Sequence, residues 1–358
     1  MPGLFDEFTL RSVTLRNRVG ISPMCMYWSD DGRASDWHLV HLGSRAVGGA
    51  GLIIAEATAV VPEGRISPRD AGLWADAHVE PLARINAFIT EYGSVPGIQL
   101  AHAGRKGSTA APYLGQMDRS LDDDEGGFGI VAPSAVPFRD GGRVPHELTV
   151  VEIHALQDAF AAATRRAVDA GYKWLELHGA HGYLMNEFHS PLSNSRTDEY
   201  GGDFANRTRF TVETVRKVRA AWPDHLPMTI RLSVTDWAEG GWSTEESVEL
   251  AKILKSEGVD LIDCSSGFVV PSVKYPMAPG WQVPLAEAVR RGADMPTAAV
   301  GMITEPAQAD AIIREGRADL ILLGRESLRD PYWPFHAAKA LGQAERVKLP
   351  TPYDYAVH

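Results

Sequence analysis

Short aliphatic runs alternate with amphipathic stretches along most of the chain. The runs cover residues 19–23 (VGISP), 51–57 (GLIIAEA), 97–102 (GIQLAH), 174–178 (WLELH), 228–233 (MTIRLS), 261–265 (LIDCS), 297–301 (TAAVG) and 320–324 (LILLG). Runs this apolar fit strands covered on both faces, as in a parallel sheet. The segments between them have helical spacing. In residues 150–170, Ile153, Leu156, Phe160, Ala163 and Ala167 recur at three- or four-residue steps, and Gly171 stands where a helix would stop. Ser243-Thr244-Glu245-Glu246 is a capping-type start, with Gly258 at the far end. The stretches 282–292 and 305–316 also end at glycine. Eight strand–helix alternations predict a (β/α)8 barrel, with an open doubly wound sheet as the alternative.

One connection breaks the rhythm. Residues 103–148, after the third run, are rich in glycine and proline and have no long helical period. Loops of that length in a compact unit are functional or disordered. The segment is expected to cap the catalytic rim, with a small hairpin in it. The barrel is expected to span 1–342, leaving 343–358 as a tail, placed at a subunit interface.

Composition narrows the function. The chain has 358 residues, 44% hydrophobic and 23% charged, with net charge −11. That balance disfavours nucleic-acid binding, which needs a cationic face. The acidic run Asp122-Asp123-Asp124-Glu125 reads as a solvated loop. Two cysteines, Cys25 and Cys264, make no disulfide framework. With no apolar leader at the N-terminus and no long apolar run, a soluble cytoplasmic protein without membrane contact is expected.

Barrel active sites form where strands end. Arg231 lies inside an apolar run, where a charge needs a partner. It forms either a buried ion pair with an acid such as Glu56 or a fixed cation beneath an electron-rich ring. Gln99 has the same logic, since a buried amide must find partners. Gly301 and Gly324-Arg325 end the last two runs, where barrels often hold phosphate. Together these suggest a phosphate-bearing heterocyclic cofactor. His178, His181 and Tyr183 follow the fourth run. The pair reads as a metal site, as packing, or as donors to a substrate oxygen with Tyr183 as proton donor. His102 and Asp263 make a poor metal set with it, which favours the oxygen grip and no metal. Cys25 reads as a small buried hydrophobe or as a thiol facing the cofactor.

The segments "ISPMCMY", "GLIIAEATAVVPEGR", "IQLAHAGRK", "HGAHGYLMNEFHSPLSNSRTDEYGG" and "AVGMITEP" with "LILLGR" resemble the old yellow enzyme family. The likeness is to its bacterial cysteine-containing branch of xenobiotic reductases and thermophilic-like ene-reductases, over residues 4–341. The resemblance implies a barrel holding FMN non-covalently. Hydride from NAD(P)H, with NADPH favoured, would pass through flavin N5 to the β-carbon of an α,β-unsaturated carbonyl or nitro compound. Ser22, Pro23, Met24 and Cys25 would line the flavin. Ala57, Gln99 and Arg231 would hold its pyrimidine end, and Gly301, Gly324 and Arg325 its phosphate. His178 and His181 would grip the substrate oxygen, with Tyr27 adding a hydrogen bond and Tyr183 protonating the α-carbon. A homodimer or homotetramer is implied. The alternatives are a nitro or nitrate-ester reductase with the same site and a flavin-based redox sensor. Two positions depart from the family. The tail reads Tyr353-Asp354-Tyr355 where relatives end Tyr-x-Arg, and Met302 stands where xenobiotic reductases can carry tryptophan.

Overall fold

All eight apolar runs form strands, and the strands close on one another. The computed structural model describes residues 2–115, 119–271 and 273–357; residues 116–118 of the excursion and His358 of the tail lie outside the described residues. The barrel strands are β1 (Val19–Ile21), β2 (Leu52–Ala59), β3 (Val95–Ala101), β4 (Trp174–Gly179), β5 (Met228–Ser233), β6 (Leu261–Ser265), β7 (Thr297–Ala299) and β8 (Leu320–Leu323). Each pairs in parallel with the next, and β8 returns to β1 through Ile321 opposite Val19. Helices face the outer side, which explains why every residue of β2, β4 and β5 is buried.

The helices on the outside are α1 (Asp36–Val47), α2 (Val79–Glu91), α3 (Val150–Asp169), α4 (Phe204–Ala221), α5 (Thr244–Ser256), α6 (Val283–Ala293), α7 (Pro306–Arg314) and α8 (Trp333–Ala340). Caps set their ends. Thr149 and Glu152 form a reciprocal capping box on α3, and Ser243 and Glu246 do so on α5. Gly171 and Gly258 follow in left-handed conformations, as expected of stops.

Two expectations fail. The helix expected to stop at Gly292 runs to Ala293, and Asp294 takes the left-handed position with φ 48°. A Cβ on Gly292 would lie 2.7 Å from Val248 Cγ1, so this glycine lets α6 approach α5. In the excursion, Val131–Ala132 and His146–Glu147 pair in parallel, so they are not a hairpin. A parallel pair needs a crossover, and residues 133–145 supply it. No helix among the described residues is long and apolar enough to cross a membrane.

Candidate active site

The charges at the barrel mouth come from three neighbouring strands. Register places His178 of β4 beside Arg231 of β5, and Arg231 beside Asp263 of β6. The Arg231 guanidinium donates to Asp263 at 2.5 Å and to the Ser22 hydroxyl at 2.8 Å, and lies 3.9 Å from Glu176. Burial works against its charge, but Asp263 and Glu176 hold it firmly cationic. The expected partner Glu56 belongs elsewhere. It contacts His38 at 3.2 Å and accepts from the Met26 amide at 2.9 Å. Glu176 was not foreseen. Its carboxyl accepts from the Gln99 amide at 2.8 Å, and burial, then the neighbouring Asp263, raises its pKa.

Two cavities open above this layer. One, of about 450 Å³, is lined by Ser22, His181, Arg231, Gly301, Gly324 and Arg325, among others. The other, of about 530 Å³, shares His181, Phe268 and Tyr275 with the first and adds Tyr27, Lys106 and Tyr183. Gly301 has φ 116°, and a Cβ there would lie 2.8 Å from the Gln282 amide nitrogen. Any side chain at Gly301 would therefore fill the cradle. Gly324 leads into the short helix Arg325–Arg329. A cavity lined by Arg231, Arg325 and Arg329 together with Gly301 and Gly324 fits a phosphorylated heterocycle.

His181 lines both cavities, and His178 packs against it without lining either. His178 and His181 have ring centroids 5.2 Å apart at 89°, and His178 and Tyr183 are 5.0 Å apart at 77°. Burial first, then His181 in the case of His178, and Arg231 and Lys106 for both, pushes the two histidines well below the usual imidazole range, so both are neutral at pH 7. His178 Nδ1 accepts from the Ala180 amide at 3.3 Å, which leaves its Nε2 as the N–H donor. His181 Nε2 lies 2.6 Å from the Ser265 hydroxyl. Its backbone is left-handed, with φ 62°, and the Lys106 ammonium donates to its carbonyl at 2.7 Å. A non-glycine residue held there marks a turn shaped for its side chain.

The remaining expected residues sit around these walls. A register shift between Ala55 and Ala57 bulges β2 at the rim. Cys25 is half-buried beside the Ala57 amide. Burial, then Asp70 and Glu56, raises the thiol well above its ordinary value, so it is protonated at neutral pH. Met24 borders a small apolar space beside His41 and Leu42, and its sulfur lies 4.0 Å from where a Cβ on Gly324 would stand. Pro23 is partly exposed. Met302 lines the first cavity and is left-handed, with φ 53°.

Comparison with known proteins decides the family. Residues 3–344 match the profile of the NADH:flavin oxidoreductase / NADH oxidase family. The chain belongs to this family. It is 50% identical to an NADPH dehydrogenase of Geobacillus sp. (strain WCH70) over 341 residues, covering 95% of this chain and 94% of that one. An NADPH dehydrogenase of Geobacillus thermodenitrificans (strain NG80-2) is 46% identical, over 98% of this chain and 97% of its own. Among solved structures, morphinone reductase superposes with a TM-score of 0.77 at 28% identity, over 99% of this chain and 93% of its own. The old yellow enzyme homologue from Zymomonas mobilis gives 0.74 at 26%, over 95% and 93%. This member of the old yellow enzyme family is an NADPH-dependent flavin oxidoreductase that binds FMN.

Behind Cys25 lies an acid that sequence reading passed over. Asp70 is 1% exposed, and its Oδ2 accepts from the Ile66 amide at 2.7 Å. Burial, then Glu56, pushes its pKa to about 8 from 3.8. The folded protein therefore holds a proton there that the unfolded chain releases above about pH 4. The stabilisation is complete below the unfolded pKa and is lost as pH rises through about 8. Asp70→Asn is expected to raise Tm by a few degrees at pH 9, with the gain vanishing toward pH 5. Thermal melts across that range check it; a gain independent of pH would rule out the titration.

Proposed function

We propose that the protein reduces carbon–carbon double bonds conjugated to a carbonyl or nitro group, using NADPH. Bound FMN supplies the hydride relay between the two substrates. Gly301, Gly324 and Arg325 hold its phosphate, while Gln99, Arg231 and the Ala57 backbone hold its pyrimidine end. Ser22, Pro23, Met24 and Cys25 contribute the wall on the β1 side. Arg231, fixed by Asp263, favours negative charge on the reduced ring.

The observation that carries this reading is the right-angled pair of neutral imidazoles beside a tyrosine. A neutral imidazole can donate to an oxygen without placing a full charge against a neutral substrate. His178 offers Nε2–H, and His181, steadied by Ser265, closes on the same oxygen. That grip polarises the double bond and orients it. Tyr183 then supplies the proton to the α-carbon, and Tyr27 adds a hydrogen bond. The neutral Cys25 thiol suits a hydrogen-bond role at the flavin edge better than nucleophilic attack.

The purified protein is expected to be yellow, to bleach with NADPH and to regain its colour with cyclohexenone. Visible spectroscopy under nitrogen reads all three. Colour that bleaches and then ignores both enones and nitroalkenes would overturn the substrate class.

A further inference from the structure

The excursion carries cations that the chemistry above does not use. Arg105, Lys106, Arg139 and Arg143 line one hollow around Phe138. The hollow shares Lys106, Thr109 and Phe138 with the cavity over His181 and Tyr183, so it lies on that cavity's rim. Three of the cations also hold the excursion together. Arg105 donates to the carbonyls of Val136 and Val269 at 3.2 and 2.6 Å. Lys106 donates to those of His181 and Phe268 at 2.7 and 3.2 Å. Arg143 donates to those of Phe128 and Leu121 at 2.6 and 3.0 Å, with Asp123 at 3.8 Å.

Arg139 differs from them. It is half-buried, and its side chain makes no hydrogen bond or ion pair among the described residues. Its backbone carbonyl accepts from the Gly142 amide at 3.0 Å, so it starts a tight turn that faces the hollow. A guanidinium without a structural partner, set among three other cations, is a costly arrangement with nothing bound and a favourable one around an anion. Carbonyl bonds occupy the donors of Arg105, and Glu187 and Asp236 are the acids that act on its charge. A small substrate gripped by the histidines fills the inner cavity and leaves the rim unreached. A dinucleotide entering the same cavity by its nicotinamide must cross that rim.

We propose that this hollow binds the 2′-phosphate of NADPH, with Arg139 as its main contact. The assignment rests on the reading of the adjoining cavity as the place where NADPH delivers hydride. It makes Arg139 a residue that separates NADPH from NADH, because only the former carries the extra dianion.

The test uses the FMN-loaded enzyme and the variants Arg139→Gln and Arg139→Lys. Rapid-mixing reduction gives the apparent Kd for NADPH and NADH, and calorimetry gives binding of 2′,5′-ADP. In Arg139→Gln the NADPH Kd is expected to rise roughly tenfold, as for a lost charge-assisted bond. The NADH value should hold, 2′,5′-ADP binding should weaken in parallel, and Arg139→Lys should recover part of the loss. An unchanged NADPH to NADH ratio overturns the proposal. Equal weakening of both reductants would move the contact to the pyrophosphate. Weakening confined to carboxylated substrates in the reoxidation step would give the hollow to a substrate anion. Calorimetry with 2′,5′-ADP reads the hollow even if the enzyme reduces no alkene, so failure of the ene-reductase reading leaves this test standing.

Discussion

Replacing Arg231 with methionine is expected to destabilise the apoprotein by ~3–5 kcal/mol, the usual cost of removing one partner from a buried ion pair. It should also weaken FMN binding beyond detection in a fluorescence titration. Arg231 is 4% exposed, and its closest acid, Asp263, is fully buried. Without the guanidinium, Asp263 must hold a proton or stand as an unpaired charge, and Glu176 lies on its other side. Its Oδ1 already has no hydrogen-bond partner among the described residues. The double variant Arg231→Met/Asp263→Asn removes the charge conflict. It should regain most of the stability and none of the flavin affinity. Urea denaturation of the apoproteins separates these effects. A single variant as stable as the parent would show that the pair carries no stability, and flavin binding by the double variant would remove Arg231 from the pyrimidine end.

The barrel was legible because its signal is local. Each apolar run had a two-sided burial to explain, and each helix announced its ends, as Thr149 with Glu152 and Ser243 with Glu246 do. What strands do to one another was not legible. Arg231 plainly needed an acid, but only the register shows that Asp263 stands beside it while Glu56 serves His38. Glu176 was hidden between two leucines in "WLELH". Its spacing of two from His178 gave a usable sign, because alternate residues of a strand share a face and His178 had already been read as facing the barrel mouth. Asp70 and Glu187 left no such sign. Their burial comes from loops folding over them, as the Arg105 amide does when it donates to Glu187 at 2.8 Å. Gly292 shows the same limit, since its reason lies on another helix, at Val248.

Tyr183→Phe is expected to slow reoxidation by an enone roughly 100-fold, the usual range for a lost general acid, while reduction by NADPH proceeds at its parental rate. Three tyrosines line the substrate cavity: Tyr27, Tyr183 and Tyr275. The Tyr275 hydroxyl accepts from the Phe268 amide at 2.8 Å, while Tyr27 is set beside Cys25 and Tyr183 beside His178. Burial, then Cys25 and Tyr183, drives the Tyr27 phenol far above its ordinary range, which makes it a poor acid and a serviceable hydrogen-bond donor. Tyr183 caps the short helix Leu184–His189, with the Lys106 ammonium 5.0 Å from its ring. Lys106 also lines the substrate cavity, so its ammonium stands close to the charge that forms when Tyr183 gives up its proton. The Leu184 amide donates to the His102 carbonyl at 3.0 Å, which anchors the turn and so the position of the ring. A nitroalkene should suffer less from the change, because its reduction leaves a stabilised nitronate that can take its proton from water. Rapid mixing of each half-reaction, with cyclohexenone and with a nitroalkene, measures all of this. Equal slowing of reduction and reoxidation would point to a disturbed cavity instead of a lost proton. A large loss in Tyr27→Phe with none in Tyr183→Phe would transfer the acid role to Tyr27.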